Sequence, residues 1–259
     1  VIFCKTALPD LLRRDLAARS YRPSTITLSG ITDAYQPVER RLRITRRCLE
    51  MLAECRHPVD IITKSHLVTR DLDLLSSLAR LGAARVDISF TTLDPETARR
   101  MEPRAASPQR RLDAISACRD AGVPVGVLCS PIIPGLTDHE LPRLLTAAAD
   151  AGAQWAHIIP LRLPGAVKDV FIDWVHRNYP DRADKVLNRQ RELRGGELND
   201  ARFGHRFRAQ GPFYDHLHQV LTIFRQKNAL ADHGPRLSLE HFRKPEIQSG
   251  PSNQLQLFS

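Results

Sequence analysis

Five short apolar runs, each closed by hydroxyl, glycine or basic residues and each followed by a helical pattern, constrain this chain more than any other feature. The first lies in the stretch Thr25 to Arg40, where Ile26 and Leu28 give way to Ser29-Gly30 and Thr32-Asp33 before a long helical pattern starts after Pro37. Val38, Leu42, Thr45, Leu49 and Leu52 recur at helical spacing up to His57-Pro58, and Cys48 and Cys55, seven apart, share the buried face. The unit then repeats. Val59 to Lys64 reads as a second strand, with a Leu-rich helix from Asp71 to Leu81 stopped by Gly82. Arg85 to Thr91 is the third strand, and Asp94-Pro95 and Ser107-Pro108 each place an N-cap before a proline, the second opening a helix that ends at Gly122. Pro124 to Ser130 is the fourth strand. Thr137-x-x-Glu140 has the form of a capping box for a helix carrying Leu141, Leu144, Leu145 and Ala148 up to Gly152. Trp155 to Leu161 is the fifth strand, and Val167, Phe171, Trp174 and Val175 mark one face of the next helix.

A strand and a helix alternating about every 30 residues predict an α/β fold with a parallel sheet, open or curled into a barrel. Before it, Val1 to Thr6 is a short apolar segment and Leu8-Pro9-Asp10 opens a basic helix to about Ala18. At 259 residues the chain suits one large unit plus a tail. The expected boundaries are a barrel over 1–180, a basic helical extension packed on it over 181–231 that includes a helix around Tyr214 to Phe224, and a flexible tail over 232–259, where Pro, Ser, Gln and Asn are frequent.

With 38 Lys+Arg against 29 Asp+Glu, the formal charge of +9 permits a polyanionic partner. Arg182 to Arg208 holds eight basic and four acidic residues with Phe203 and Phe207 interleaved, a candidate nucleic-acid surface that reads equally as solvated helix faces. No apolar run approaches the roughly 20 residues that span a bilayer, and the amino terminus lacks signal-peptide order, so a cytoplasmic protein with no membrane partner is expected. Cys4, Cys48, Cys55, Cys118 and Cys129 show no metal-type spacing, and His66, His139 and His157 have no partner at such spacing, so no metal ligand is assigned.

The five strand ends offer Ser29-Gly30 with Thr32-Asp33, Thr63-Lys64-Ser65, Ser89 with Thr91-Thr92, Ser130-Pro131, and Arg162. In a parallel barrel these ends converge into a polar mouth suited to a zwitterionic or polyhydroxylated small ligand. Lys64 is placed to hold a carboxylate. Thr32 and Asp33 read as ligand contacts or as caps of the following helix, and Ser89 as a ligand contact or a core hydroxyl bonded to backbone.

Taken together, Ser29 to Glu39, Thr63-Lys64-Ser65, Thr91-Thr92-Leu93-Asp94, Met101-Glu102-Pro103-Arg104 and Pro131 to Asp138 resemble a branch of the radical S-adenosylmethionine (radical SAM) superfamily related to spore photoproduct lyase, the DNA repair photolyase-like proteins. The likeness continues through Tyr179-Pro180-Asp181-Arg182, Arg194-Gly195-Gly196, Phe203-Gly204 and Gly211-Pro212-Phe213. It implies a partial (β/α)6 barrel that binds a four-iron four-sulfur (4Fe-4S) cluster and S-adenosylmethionine, takes an electron from a donor, and forms a 5'-deoxyadenosyl radical that abstracts hydrogen from a substrate. By matching position, Thr32 and Asp33 fall near the amino end of the methionine moiety, Lys64 near its carboxylate, Ser89 and Thr91 near the ribose, and the backbone of Ile133 to Gly135 near the adenine.

Two departures from that pattern shape the expectation. The Cys-x-x-x-Cys-x-x-Cys motif that holds the cluster is absent. The chain is therefore expected to be truncated before Val1, to lack the first strand and the cluster loop, and to bind no cluster and have no radical activity as it stands. Gly30 occupies the position of the hydrogen-donor cysteine of spore photoproduct lyase, which puts the thymine-dimer reaction in doubt; Cys129 is a substitute candidate whose neighbours read as core. The reading is a radical SAM enzyme that abstracts hydrogen, with a lyase acting on a nucleic-acid lesion as its narrower form, of which this chain is a fragment. Its alternatives are a non-redox (β/α) barrel enzyme, which lacks a Gly-rich phosphate loop, and a nucleic-acid-binding module.

Overall fold

A computed structural model describes residues 4–29, 32–199 and 209–246. Among them are α1 (Leu8–Ala17), β1 (Ile26–Leu28), α2 (Glu39–Leu42), α3 (Ile44–Glu54), β2 (Val59–Thr63), α4 (Leu72–Ala79), β3 (Ala84–Phe90), α5 (Pro95–Met101), α6 (Pro108–Asp120), β4 (Val125–Ile132), α7 (Leu141–Ala151), β5 (Ala156–Pro160), α8 (Val167–Asn178), α9 (Pro180–Leu193) and α10 (Pro212–Lys227). The strands form one parallel sheet in the order β1-β2-β3-β4-β5, the succession of a partial α/β barrel. All five expected strands are present.

The strand period of two divides the sheet cleanly. Val59 and Ile61 of β2, Val86, Ile88 and Phe90 of β3, and Val125, Val127 and Cys129 of β4 are buried in one cluster with Leu49 and Leu52 of α3, Leu75 and Leu78 of α4, Ile115 and Cys118 of α6, and Leu144 and Leu145 of α7. The alternate residues, Asp60, Arg85, Asp87, Ser89, Leu128 and Ser130, point to the opposite, inner face. A second cluster joins Ile133, Leu136, Leu161 and Leu163 to Phe171 and Val175 of α8 and Ala183, Val186 and Leu187 of α9, so packing runs through position 180 without a break.

Three local expectations are corrected. The helix expected after Pro37 is two, because Arg43 adopts φ 52° between α2 and α3. Thr137 and Glu140 form no capping box: Thr137 Oγ1 accepts from Ile133 N at 2.9 Å, and Glu140 receives Thr92 Oγ1 at 2.6 Å and Leu93 N at 2.8 Å, tying the β3 and β4 loops together instead. The stretch from 232, expected to be flexible, packs along the base of the sheet as far as 246. Ser238 N donates to Gly82 O at 2.8 Å, Arg243 N to Cys55 O at 2.9 Å, and Phe242 meets His57 edge-on at 5.3 Å between ring centroids. Low apolar content concealed a strap held by backbone bonds; 247–259 lie outside the described residues.

At that base the inner face carries buried charge. Arg85 Nη2 donates to Asp60 at 3.0 Å, and Trp155 Nε1 donates to Asp87 at 2.7 Å. Gly126 makes room for this indole, since a Cβ there would meet it at 2.1 Å. Burial, and then the neighbouring Asp60 charge, push the Asp87 carboxyl up to about 6, against the pull of the Trp155 bond and Arg85. For an acid whose folded pKa is raised, ionisation costs stability as pH rises through that value. Asp87→Asn keeps an acceptor for Trp155 and removes the charge. We expect it to stabilise the chain by about 2–3 kcal/mol at pH 7.5, with the gain gone near pH 4. Urea unfolding at the two pH values checks this.

Candidate functional site

The carboxyl end of β1 is shaped by side chain to backbone bonds. Ser29 sits at φ 81° with its Oγ accepting from Ala34 N at 2.8 Å, which folds the loop back on itself. Asp33 then does three things: it accepts from Tyr35 N at 2.8 Å, from Thr63 Oγ1 at 2.7 Å, and from Lys64 N at 2.8 Å. A carboxylate satisfied by its own loop and by the end of the next strand fixes β1 against β2. It does not cap α2. Gly30 lies outside the described residues.

From Lys64 the network crosses to β3. Lys64 Nζ pairs with Glu102 Oε1 at the end of α5, and Arg111 Nη2 of α6 pairs with Glu102 Oε2 at 2.7 Å. Burial alone would raise the Glu102 carboxyl, but Lys64 and Arg111 together hold it below the usual carboxylate range. Thr91 Oγ1 reaches Glu102 at 3.4 Å and Ser130 O at 3.3 Å, and Ser89 Oγ donates to Ser130 O at 3.1 Å. The ends of β1, β2, β3 and β4 are thus joined by one chain of polar contacts.

Asp33, Lys64 and Glu102 line a cavity of about 930 Å³. Tyr35, Pro37 and Val38 form one side and Pro103 to Ala106 another, with Arg40, Arg70, Arg104, Arg110 and His66 completing its basic lining. The Tyr35 side is braced from behind by Asp71, fully buried, which accepts from Tyr35 Oη at 3.1 Å, Arg46 at 3.0 Å and Arg70 at 2.8 Å. Arg70 also donates to Glu39 at 2.9 Å.

Of the residues expected at the site, Asp33 and Lys64 come together at this cavity. Ser89 and Thr91 are buried beneath it, donating to backbone, and do not line it. Thr32 is exposed on the loop. Ile133 and Gly135 are elsewhere. Ile133 is fully buried in the second core, its N–H bonded to Thr137 and its carbonyl to Leu136 N and Thr137 N, and Gly135, at φ 79°, packs against Lys185, Val186 and Arg189 of α9. Cys129 is buried on the outer face, where burial pushes its thiol up to about 12, so it faces the core and not the mouth. Sequence reasoning missed Glu102 and Arg111 as site residues. Their signal was present: Arg111 shares helical spacing with Ile115 and Cys118 on the buried stripe of α6, and a buried guanidinium demands a buried acid.

Residues 8–148 match the Radical SAM superfamily. The chain belongs to that superfamily. It is 34% identical over 194 residues to an uncharacterized protein of Mycobacterium tuberculosis, covering 74% of this chain and 56% of that protein. Its fold is similar to that of a spore photoproduct lyase point mutant, at a TM-score of 0.60 and 14% identity, covering 87% of this chain and 65% of that one. A spore photoproduct lyase double mutant with bound AdoMet and dinucleoside spore photoproduct matches at a TM-score of 0.58 and 14% identity over the same shares. The chain therefore spans about half the length of the curated relatives it matches.

The superfamily implies S-adenosylmethionine and an iron-sulfur cluster. The cavity residues fit the amino-acid end of the first, because a lysine and two carboxylates meet at one wall. The cysteines do not fit the second. Among the described residues no group of Cys, His, Asp or Glu could hold a metal ion, and Cys48, Cys55, Cys118 and Cys129 are buried thiols whose pKa values burial raises. Also among the described residues, no helix is long and apolar enough to cross a membrane.

The two cations on Glu102 differ in kind. The Arg111 side chain is 3% exposed and that of Lys64 28%. Arg111→Met is expected to lose about 3 kcal/mol, since it removes the buried partner of Glu102 and leaves the carboxylate to Lys64 alone. Lys64→Ala is expected to lose about 1 kcal/mol or less. Urea denaturation of the two variants at pH 7 measures the contrast.

Proposed function

We infer that this chain supplies the S-adenosylmethionine-binding part of a radical SAM enzyme that abstracts hydrogen from its substrate. The observation that carries the reading is the Asp33, Lys64 and Glu102 wall of the cavity, formed after β1, β2 and α5 in a chain of this superfamily. When bound, S-adenosylmethionine supplies hydrogen abstraction on reductive cleavage, with the electron coming from a donor through the cluster. Lys64 takes the ligand carboxylate, and Asp33 keeps the Lys64 backbone in register through the bond to its N–H. Thr32, Ser89 and Thr91, and the turn from Ile133 to Gly135, belong to the same reading as contacts of the amino group, the ribose and the adenine, although Ser89, Thr91 and Ile133 also bond to the protein itself. The cluster thiolates, in this reading, come from residues other than the five cysteines of this chain.

S-adenosylhomocysteine, which needs no cluster iron, tests the site directly. Calorimetry is expected to show binding to this chain and a loss of about 10-fold or more in Lys64→Ala, the worth of a charge-assisted contact. A chain that does not bind it, or that binds it equally well without the lysine, overturns the assignment.

The substrate in this reading is nucleic acid, acted on by a lesion lyase. Support comes from the formal charge of +9, from the basic cavity lining, and from the dinucleoside photoproduct bound to the structurally similar lyase. Of the basic run Arg182 to Arg208, 200–208 lie outside the described residues. Doubling salt is expected to weaken binding of a DNA duplex several-fold, and Arg104→Glu with Arg110→Glu to reduce both affinity and salt slope. Binding that ignores salt removes the nucleic-acid half of the reading.

A further inference from the structure

The cavity contains one contact that its ligand would have to break. Lys64 Nζ, the cation best placed for a ligand carboxylate, already holds the carboxylate of Glu102. The two ends of that contact are held unequally. Glu102 Oε2 is fixed by Arg111 at 2.7 Å, and Arg111 is itself pinned through Nε to Ala106 O and through Nη1 to Ser89 O, both at 2.9 Å. Thr91 Oγ1 adds a weaker hold at 3.4 Å. Lys64 sits on a flexible four-carbon arm and is 28% exposed at its side chain. When the contact opens, the lysine moves and the glutamate stays, still neutralised by a buried guanidinium.

We propose that Glu102 is a latch that occupies Lys64 until a ligand carboxylate displaces it, so that a ligand ending in an amino acid competes with Glu102 for the ammonium. The inference rests on the cavity taking the amino-acid end of S-adenosylmethionine. A ligand carboxylate gains at that ammonium only what exceeds the contact it displaces, whereas a ligand without a carboxylate leaves the contact closed. Glu102 acts through Lys64, as a positioning residue.

Two probes separate this from a structural role. S-adenosylhomocysteine carries the amino-acid end and 5'-methylthioadenosine lacks it. In calorimetry on the full chain, Glu102→Gln is expected to tighten S-adenosylhomocysteine about 5- to 10-fold while 5'-methylthioadenosine stays within about 2-fold, the first being the worth of one competing contact. Glu102→Asp keeps the charge beside Arg111 on a shorter arm, and is expected to move affinity the same way where the glutamine variant is poorly folded. Weaker S-adenosylhomocysteine binding, or an equal change for both ligands, overturns the latch. A parallel readout needs no ligand: acylation of Lys64, followed by mass spectrometry, is expected to be faster in either variant than in the parent chain. Equal labelling rates overturn the latch even where the binding site stands, and faster labelling without nucleoside binding keeps the latch while removing the S-adenosylmethionine reading.

Discussion

Arg111 is a guanidinium with almost no access to water, and that condition organises the mouth of the sheet. Such a group is tolerated only where each of its donors has an acceptor. Its acceptors come from three places: Ser89 O on β3, Ala106 O ahead of α6, and Glu102 at the end of α5. One side chain therefore fixes the spacing of three segments that sequence separates. Phe90 lies beneath it, 5.8 Å from ring to guanidinium, so the charge is packed as well as bonded. Glu102 could not sit in a site this buried without Arg111, and Lys64 would have no fixed partner without Glu102.

The same reasoning explains what was legible beforehand. Strands and helices were readable because the buried face of this sheet alternates strictly: Val86, Ile88 and Phe90 announce β3, as Val125, Val127 and Cys129 announce β4. Proline after Asp94 and Ser107 located two helix starts, and both side chains accept the expected bond, from Thr97 N at 2.7 Å and Arg110 N at 3.4 Å. What could not be read was which polar residue meets which. Thr137 and Glu140 have capping-box spacing, yet each is drawn off by a partner distant in sequence, Glu140 by Thr92 across 48 positions. Asp33 looked like a helix cap and instead bonds to the end of the next strand, because Lys64 N and Thr63 Oγ1 offered it better-placed donors. Glu102 and Arg111 were visible only as members of a motif and of a stripe. Their meeting is a tertiary fact.

The base of the inner face follows the opposite rule from the mouth. There the charges are spent on holding the chain together: Arg85 bonds both Asp60 and the carbonyl of Pro235, and the indole of Trp155 is pressed between Gly126 and Gly234 while it donates to Asp87. Each partner is a neighbour on the sheet or part of the strap that crosses it. At the mouth, Lys64 and the surrounding arginines border open volume, so their contacts can be exchanged for those of a ligand. The two ends of one sheet face thus differ in surroundings: at the base the charged groups are covered by the indole and the strap, and at the mouth Lys64 and its neighbours border a cavity.

Thiol placement carries the last step. A cluster ligand must be a thiolate, and a thiolate is favoured by exposure or nearby positive charge. Cys48, Cys55, Cys118 and Cys129 are under 4% exposed, the last three within the main core cluster, and burial penalises loss of the proton in all four. Cys118 and Cys129 line the outer face of the sheet, across the strands from the inner face that Ser89 and Ser130 share. Moving either to the mouth would reverse the strand or helix face it stands on and expose the apolar residues beside it. The chemistry of the fold thus assigns these cysteines to packing, and it leaves Asp33 and Lys64 as strand-end groups beside the cavity. A thiolate-held cluster would therefore need cysteines placed otherwise than these four buried ones.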